Sequence, residues 1–89
     1  MFNINHCFRK NEQILYREIE GGAVLIDRYR RTMMRLSSVA LEIWQLLDGK
    51  RSVADIIKAL KEVFEVDEED LKKDVIGFIK DLARREVVI

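Results

Sequence analysis

Residues 20–27 have the sequence EGGAVLID, and this stretch decides the fold of the chain. Its two glycines tolerate the positive φ angles that a two-residue hairpin turn requires. The apolar residues 23–27 follow the turn directly, and we expect them to form the most buried strand. Residues 13–20 precede the turn and are rich in aliphatic and aromatic side chains, which favours a partner strand. The two segments therefore predict an antiparallel hairpin.

A third strand is predicted at residues 32–36, after a polar turn at residues 27–31. Successive side chains of a strand point to opposite faces of the sheet. One face would carry Thr32, Met34 and Leu36, and the other Met33 and Arg35. We expect a three-stranded antiparallel meander in which this last strand lies at an edge.

Positive charge is concentrated around the predicted edge strand. The residues concerned are Arg28, Arg30, Arg31 and Arg35. Exposed charges of this kind protect an edge strand from aggregation. The alternative is a docking point for acidic residues of a peptide or an enzyme. Methionines at positions 33 and 34 suit either core filling or an adaptable peptide-binding surface.

The rest of the chain predicts helices, because apolar residues recur there at helical spacing. Ser37 and Ser38 can cap the first helix, which we expect to end at the Asp48-Gly49 pair. Ser52 is placed to cap the second helix, and an acid three residues later completes a capping box. The apolar tail at residues 87–89 is expected to pack back onto the core.

A third helix is predicted to open at Asp67, with acidic residues in its first turn that suit the helix dipole. At about 100° per residue, one narrow stripe forms on its surface. The stripe contains Leu71, Val75, Phe78 and Leu82, with Ile76, Ile79 and Ala83 beside it. The resulting apolar arc spans roughly 160°, more than one packing surface usually needs. Either two neighbours cover both flanks, or one flank lines an open groove. We expect Ile79 to lie on a flank.

Composition and order of elements together predict an α+β domain, in which a three-stranded antiparallel sheet is followed by three helices. Its 89 residues, 48% hydrophobic and 36% charged, suit one folded domain. We expect residues 1–12 to be a flexible arm and residues 13–89 the domain. The single cysteine permits no internal disulfide and favours the cytoplasm. No apolar run approaches the ~20 residues of a membrane span.

Residues that carry catalysis or bind metals are scarce in this sequence. His6 and Cys7 are the only histidine and cysteine, whereas a zinc site needs three or four ligands. The chain has no glycine-rich phosphate loop. We therefore expect no catalytic residue, no metal, no cofactor and no enzymatic activity.

The charge distribution argues against nucleic-acid binding. The net charge is zero, and residues 67–86 hold seven acidic against five basic residues. Phosphate binding requires a clear local excess of Lys and Arg. A winged-helix DNA-binding protein nevertheless remains an alternative on shape alone, and a structural or dimerising subunit is another.

Five stretches also carry a family resemblance. They are EGGAVLID at residues 20–27, Leu36-Ser37, IWQLLDG at residues 43–49, SVADII at residues 52–57, and Asp74-Val75 with Phe78 and Leu82. In this order and spacing, the chain from residue 13 onward resembles the PqqD-like family.

The resemblance implies a winged-helix-like arrangement of the sheet and helices. It also implies a recognition element for ribosomally made, post-translationally modified peptides. Such domains hold a leader peptide as an added strand beside the third strand, against the third helix. The implied peptide-binding residues are Thr32, Met33, Met34, Arg35, Leu36, Lys72, Asp74, Val75, Ile76, Phe78 and Ile79. The implied partners are the precursor peptide and a modifying enzyme, such as a radical SAM maturase or a leader peptidase.

The chain also departs from the family pattern. Arg30-Arg31 stand in the turn where the family often has glycine, and Met33-Met34 replace aromatic residues. The Pro-Glu-Arg stretch typical of members that serve pyrroloquinoline quinone synthesis is missing. The resemblance therefore fits a lasso-peptide system, or another peptide modified by a radical SAM enzyme, at least as well.

Overall fold

The computed structural model describes residues 2–89. Three strands come first, and three helices follow. The strands are β1 (Ile14–Ile19), β2 (Gly22–Asp27) and β3 (Thr32–Ser37), and the helices are α1 (Ser38–Leu46), α2 (Val53–Val63) and α3 (Glu68–Arg84). The predicted α+β architecture is confirmed. Within residues 2–89, no helix is long and apolar enough to cross a membrane.

The sheet is an antiparallel meander with β2 in the centre, so both β1 and β3 are edges. As predicted, β2 is the most buried strand. Gly22 permits its close pairing with β3, because a Cβ atom there would collide with the carbonyl oxygen of Leu36. Arg31 adopts a positive φ of 56° in the turn before β3. Glycine adopts that conformation without strain, whereas a residue with a Cβ atom adopts it less often.

Side-chain caps begin all three helices. Ser37 caps α1, and Ser52 forms the predicted capping box with Asp55 through bonds of 3.0 and 3.1 Å. Asp67 caps α3 by accepting backbone N–H bonds at 2.9 and 3.2 Å. α1 ends at Leu46, two residues before the predicted Asp48-Gly49 boundary.

The core lies between one face of the sheet and the helices. Its sixteen buried residues are all apolar, and among residues 2–89 no polar or charged residue is buried. The predicted return of the C-terminal tail is confirmed for Val87 and Val88, which are 5% and 3% exposed, whereas Ile89 is half exposed. Tyr16 of β1 lies beside Trp44 of α1, with ring centroids 6.5 Å apart.

The N-terminal segment, residues 2–11, is not the flexible arm that we expected. Its backbone pairs with the C-terminal tail, because Arg9 and Ile89 exchange hydrogen bonds of 3.0 and 2.8 Å. The carbonyls of Ile4 and His6 also accept hydrogen bonds from the first turn of α2. Phe2, Ile4 and Phe8 pack against the core. These contacts hold residues 2–11 against the folded domain.

The burial of α3 differs by one residue from the predicted stripe. Its buried positions are Leu71, Val75, Ile79 and Leu82, whereas Phe78 is only half-buried. Ile79 is therefore a core residue, and its expected place on a flank is wrong. The reason is the way in which α3 packs against its neighbours, because this orients Ile79 toward the core and Phe78 toward one side of the helix.

Candidate functional site

The outer edge of β3 is the first component of the candidate site. β3 pairs only with β2, so alternate residues present backbone N–H and C=O groups to the open side. Thr32 and Arg35 are exposed along this edge. An edge with unpaired backbone groups is a template for an added strand.

Two clefts lie at the ends of the space between β3 and α3. The turn-end cleft, about 140 Å³, lies near the start of β3 and the residues that follow α3. It is lined by Ile14, Leu25, Asp27, Arg30, Thr32, Met33, Met34, Arg85 and Val87. The α1-end cleft, about 430 Å³, lies between α1 and the first half of α3. It is lined by Val39, Ile43, Phe64, Val66, Asp67, Asp70, Leu71, Asp74 and Val75.

The two clefts lie toward opposite ends of β3, and we infer a groove that joins them along this strand. The start of β3 lies near the end of α3, and the residues after β3 lie near the start of α3. Asp74, Phe78 and Arg85 follow at near-helical spacing along one flank of α3. Because Asp74 lines one cleft and Arg85 the other, the half-buried Phe78 lies between them. We call this flank the groove flank.

The turn before β3 is held to the end of α3. The guanidinium of Arg30 donates a hydrogen bond of 2.8 Å to the backbone carbonyl of Arg85 and lies 3.0 Å from the carboxylate of Glu86. Asp27 stiffens the same turn by accepting backbone N–H bonds from Tyr29 and Arg30, each 3.0 Å long. The turn-end cleft therefore has a fixed wall.

The α1-end cleft combines apolar walls with a carboxylate rim. Val39 and Val66 are 46% and 44% exposed, so both present apolar surface to solvent. Asp70 and Asp74 are exposed on α3 and border the same cleft. Apolar surface of this kind suits an anchoring side chain, and the carboxylates suit a positive charge.

The other free edge, β1, borders a more polar cleft. That cleft, about 420 Å³, is lined by Lys10, Asn11, Glu12, Ile14, Tyr16, Trp44 and Gln45. Lys10 lies over the Trp44 ring, 5.4 Å from its centroid. Partial burial lowers the pKa of Lys10, although the charge of Asp48 acts in the opposite direction. The cleft beside β1 is lined mainly by polar residues, whereas the α1-end cleft is lined mainly by apolar ones, so the β3 side is the better candidate for apolar anchors.

The groove brings together most of the residues predicted for peptide binding. Thr32, Met33 and Met34 border the turn-end cleft, Asp74 and Val75 border the α1-end cleft, and Phe78 lies between. Met33 is 70% exposed and shares with Arg35 the sheet face that points away from the core. Both side chains would flank the outer face of an added strand.

Five of the predicted residues need correction. Leu36, Val75 and Ile79 are at most 2% exposed, so they support the groove from within the core. Lys72 lies on the opposite flank of α3, where it lines a cleft with Ile4 and α2. The amine of Lys80 lies over the Phe2 ring, so Lys80 is also on that flank. Ile76 belongs to the same flank, because it is four residues from both Lys72 and Lys80. Lys72 and Ile76 therefore do not face the groove.

Sequence reasoning missed several residues that border the groove. They are Val39, Phe64, Val66, Asp70 and Arg85. In the sequence, the helical spacing places Phe64 on the apolar face of the second helix, and Asp70 suits the helix dipole, so neither pattern indicates a groove. The available signal was the pair of apolar residues Phe64 and Val66 in the short connection between α2 and α3. Within residues 2–89, no group of three or more His, Cys, Asp or Glu residues could hold a metal ion.

A three-stranded sheet with three helices and a groove along one open edge defines a winged-helix-like domain. Two solved structures share this fold. Lasso peptide synthetase B1 complexed with the leader peptide is 25% identical, with a TM-score of 0.82 over 93% of this chain and 98% of that one. TbiB1 in complex with the TbiA(beta) leader peptide is 24% identical, with a TM-score of 0.80 over 90% and 93%.

Residues 22–88 match the family described as Coenzyme PQQ synthesis protein D (PqqD), and the chain belongs to that family. A PqqA binding protein of Rhodopseudomonas palustris (strain TIE-1) is 44% identical over 45 residues, 51% of this chain and 44% of the relative. One of Gluconobacter oxydans (strain 621H) is 38% identical over 53 residues, 60% and 55% respectively. The chain spans about half the length of these curated relatives.

Proposed function

We propose that this chain binds the leader segment of a ribosomally made precursor peptide and presents it to a modifying enzyme. The observation that carries the proposal is the open β3 edge beside the groove flank of α3. The leader would add to the sheet as a fourth strand, next to β3. Its alternate side chains would enter the groove between β3 and α3.

The comparisons support this proposal. Both curated relatives are named for binding PqqA, and both similar structures contain a leader peptide. The family match includes β2, β3 and the three helices, which together form the groove. The described groove is thus part of the segment that the chain shares with its family.

The energetics of strand addition fit a reversible recognition step. Each backbone hydrogen bond to the β3 edge contributes roughly 0.5–1.5 kcal/mol net. Each apolar side chain that becomes fully buried in a cleft contributes roughly 1.5–3 kcal/mol. Ordering a flexible peptide costs about 2–5 kcal/mol or more. A few anchors and one run of hydrogen bonds therefore give an affinity in about the micromolar range.

In this proposal the chain recognises the peptide and its partner performs the chemistry. The partner would be a peptide-modifying enzyme in the cytoplasm, such as a radical SAM maturase or a leader peptidase. Binding the leader raises the concentration of the attached core peptide near that enzyme. The polar side chains that line the two clefts are Asp, Arg and Thr, and the proposal assigns them to peptide binding.

The alternative of DNA binding has less support. A recognition helix enters the major groove with its N-terminal residues against the bases. The first turn of α3 contains Glu68, Glu69 and Asp70, which would repel phosphates. Strand-mediated dimerisation would use the same β3 edge, and the experiment below separates it from peptide binding.

Selection from a displayed random peptide library, followed by an NMR titration, tests the proposal. A selected peptide, added to ¹⁵N-labelled protein, should shift amide signals at residues 32–37 and along α3 from Asp70 to Phe78. Val39→Lys, which fills the α1-end cleft, should weaken binding at least about tenfold, since loss of one apolar anchor costs that much. Val63→Lys is the matched control, because Val63 is 71% exposed on α2 and borders neither cleft.

Two results would count against the proposal. The first is a set of amide shifts confined to β1 or α2. The second is an equal loss of affinity in the Val39 and Val63 variants, which would indicate a nonspecific charge effect. If β3 signals instead change with protein concentration alone, the edge serves self-association.

A further inference from the structure

The groove carries opposite charges at its two ends. On the α1 side, Asp67, Asp70 and Asp74 lie in one row, because they are three and four residues apart on α3. Asp67 is engaged as the cap of α3 through N–H groups of Glu69 and Asp70. Within residues 2–89, neither Asp70 nor Asp74 forms an ion pair. Two carboxylates on this wall are therefore available to a ligand.

The cations nearest along α3 do not neutralise these carboxylates. Lys72 lines the cleft on the opposite flank, next to Ile4. Lys73 is exposed and lies about 100° from Asp74 around the helix. It is three residues from Asp70, but within residues 2–89 it forms no ion pair with it. The α1-end cleft thus combines two free carboxylates with the exposed apolar surfaces of Val39 and Val66.

This combination fits the side chain of lysine or arginine. Both have an aliphatic stem that packs on apolar surface while the charged head remains near solvent or a carboxylate. A purely aliphatic side chain would fill the cleft without using Asp70 and Asp74. An acidic side chain would meet repulsion there.

Arginines surround the opposite end of the groove. Arg30 and Arg85 line the turn-end cleft, and Arg28 and Arg31 belong to the same turn. Arg30 is paired with Glu86 and Arg85 with Asp81, whereas among residues 2–89 neither Arg28 nor Arg31 forms an ion pair. The unpaired arginines give this end an excess of positive charge.

We propose that the groove selects peptides with a lysine or arginine at the α1 end and an aspartate or glutamate at the turn end. This inference rests on the proposed function and specifies its ligand. β3 has six residues, and strands rise about 3.3 Å per residue, so the ends are about 17–20 Å apart. Side chains that enter the groove alternate along the peptide, so the two charges would stand an even number of residues apart, about six, with apolar anchors between.

Opposite charges at the two ends of the groove also determine the direction in which the peptide binds and its register against β3. A peptide that entered in the reverse direction would place its acid beside Asp70 and Asp74 and its base beside the arginines. A shift by two residues would separate both charges from their partners. Like-charge contacts exclude wrong arrangements at interfaces, and strand pairing alone specifies register weakly where side chains are not buried.

The test compares selections on wild type and on the double variant Asp70→Asn/Asp74→Asn. Wild type should enrich Lys or Arg at one position and Asp or Glu about six residues away. The variant should lose the enrichment of Lys and Arg and keep the other positions. Glu62→Gln/Glu69→Gln is the matched control, because it removes two exposed carboxylates that border neither cleft. Glu69, like Asp70, belongs to the first turn of α3.

A double-mutant cycle then measures the interaction directly. The selected peptide and its Lys→Gln form are titrated against both proteins by fluorescence anisotropy. We expect Asp70→Asn/Asp74→Asn to lower the affinity for the lysine peptide about three- to tenfold, which is the effect expected from the loss of two partly exposed ion pairs. The affinity for the glutamine peptide should remain nearly unchanged. The effect should shrink as salt is added.

The outcomes separate this inference from the function on which it rests. Peptides that bind beside β3 without enrichment of Lys or Arg, or with equal affinity for the double variant, would overturn the charge selection and leave peptide recognition intact. A selection without any enriched peptide, or peptides that shift only signals remote from β3, would overturn both.

Discussion

Ile79 and Phe78 are neighbours in the chain, yet they serve different surfaces of α3. Ile79 is fully buried, whereas Phe78 is half-buried on the groove flank. Truncation of a fully buried isoleucine removes its transfer free energy and leaves a cavity. Truncation of Phe78 would remove part of the groove wall instead. The pair therefore separates stability from binding at adjacent positions.

We predict that Ile79→Ala lowers the free energy of unfolding by about 2–5 kcal/mol, measured by urea denaturation. Phe78→Ala should cost less stability, because part of the ring is already in solvent. Under folding conditions, it should lower the affinity for the selected peptide more than Ile79→Ala does. If Phe78→Ala destabilises the protein more than Ile79→Ala, the burial of α3 described here is wrong. An aspartate at position 79 would bury a charge and unfold the domain.

Two carboxylates accept backbone hydrogen bonds in the turn and the helix cap that precede α2. Asp48 accepts backbone N–H bonds from Lys50 and Arg51 at 2.9 and 3.0 Å, and Asp55 accepts one from Ser52 at 3.0 Å. The backbone N–H of Lys50 is the main cause that lowers the pKa of Asp48, and that of Ser52 the main cause for Asp55. The ionised forms of both side chains therefore stabilise this loop.

The pH dependence of stability follows from the sign of these shifts. A carboxyl whose pKa is lower in the folded state stabilises the fold above the pKa of the unfolded chain, about 3.9 for Asp. That contribution is lost as the pH falls through the folded pKa. We predict that Asp55→Asn is less stable than wild type at neutral pH and that the difference narrows below about pH 4. Urea denaturation at a series of pH values measures it.

Glu62→Gln provides the control for the pH series, since Glu62 is exposed on α2 outside its cap. A gap between wild type and Asp55→Asn that is equally large at pH 3 and pH 7 would refute the proposed role of the ionised carboxylate. Ser52→Ala should also destabilise the protein, by about 0.5–2 kcal/mol, because it removes the other half of the capping box.

The order of these elements and most of their bounds were predictable because the signals are local, although α1 ends two residues before the expected boundary. Paired glycines at the hairpin, and Ser52 with Asp55 at the cap, specify conformation within a few residues. The direction of α3 was not predictable in the same way. Its wide apolar arc contains Ile76, Phe78 and Ile79, and only the neighbouring surfaces decide which of them is most buried. One flank is covered by α2 and the N-terminal segment, and the other borders the groove.

For the whole molecule, the N-terminal segment joins parts of the chain that are distant in sequence. Residues 9–11 pair with the C-terminal tail, and Gly49 donates a hydrogen bond to the carbonyl of Phe8 at 2.9 Å. The segment has no helical or strand periodicity, which is why the sequence suggested a flexible arm. Its role lies in tertiary hydrogen bonds that no local pattern encodes.

The first backbone N–H groups of a helix have no partner within the helix. In α2, the backbone N–H of Asp55 donates to the hydroxyl of Ser52. The backbone N–H groups of Val53 and Ala54 donate instead to the carbonyls of His6 and Ile4, at 3.2 and 2.9 Å. We predict that deletion of residues 1–7 abolishes protection of the Val53 and Ala54 amides from hydrogen exchange and lowers the free energy of unfolding by about 2–4 kcal/mol. Gly49 should remain protected, because its acceptor is Phe8. Ile4→Ala, which keeps the backbone acceptor, should retain protection at Ala54. Unchanged exchange at both amides after the deletion would show that this segment is a flexible arm after all.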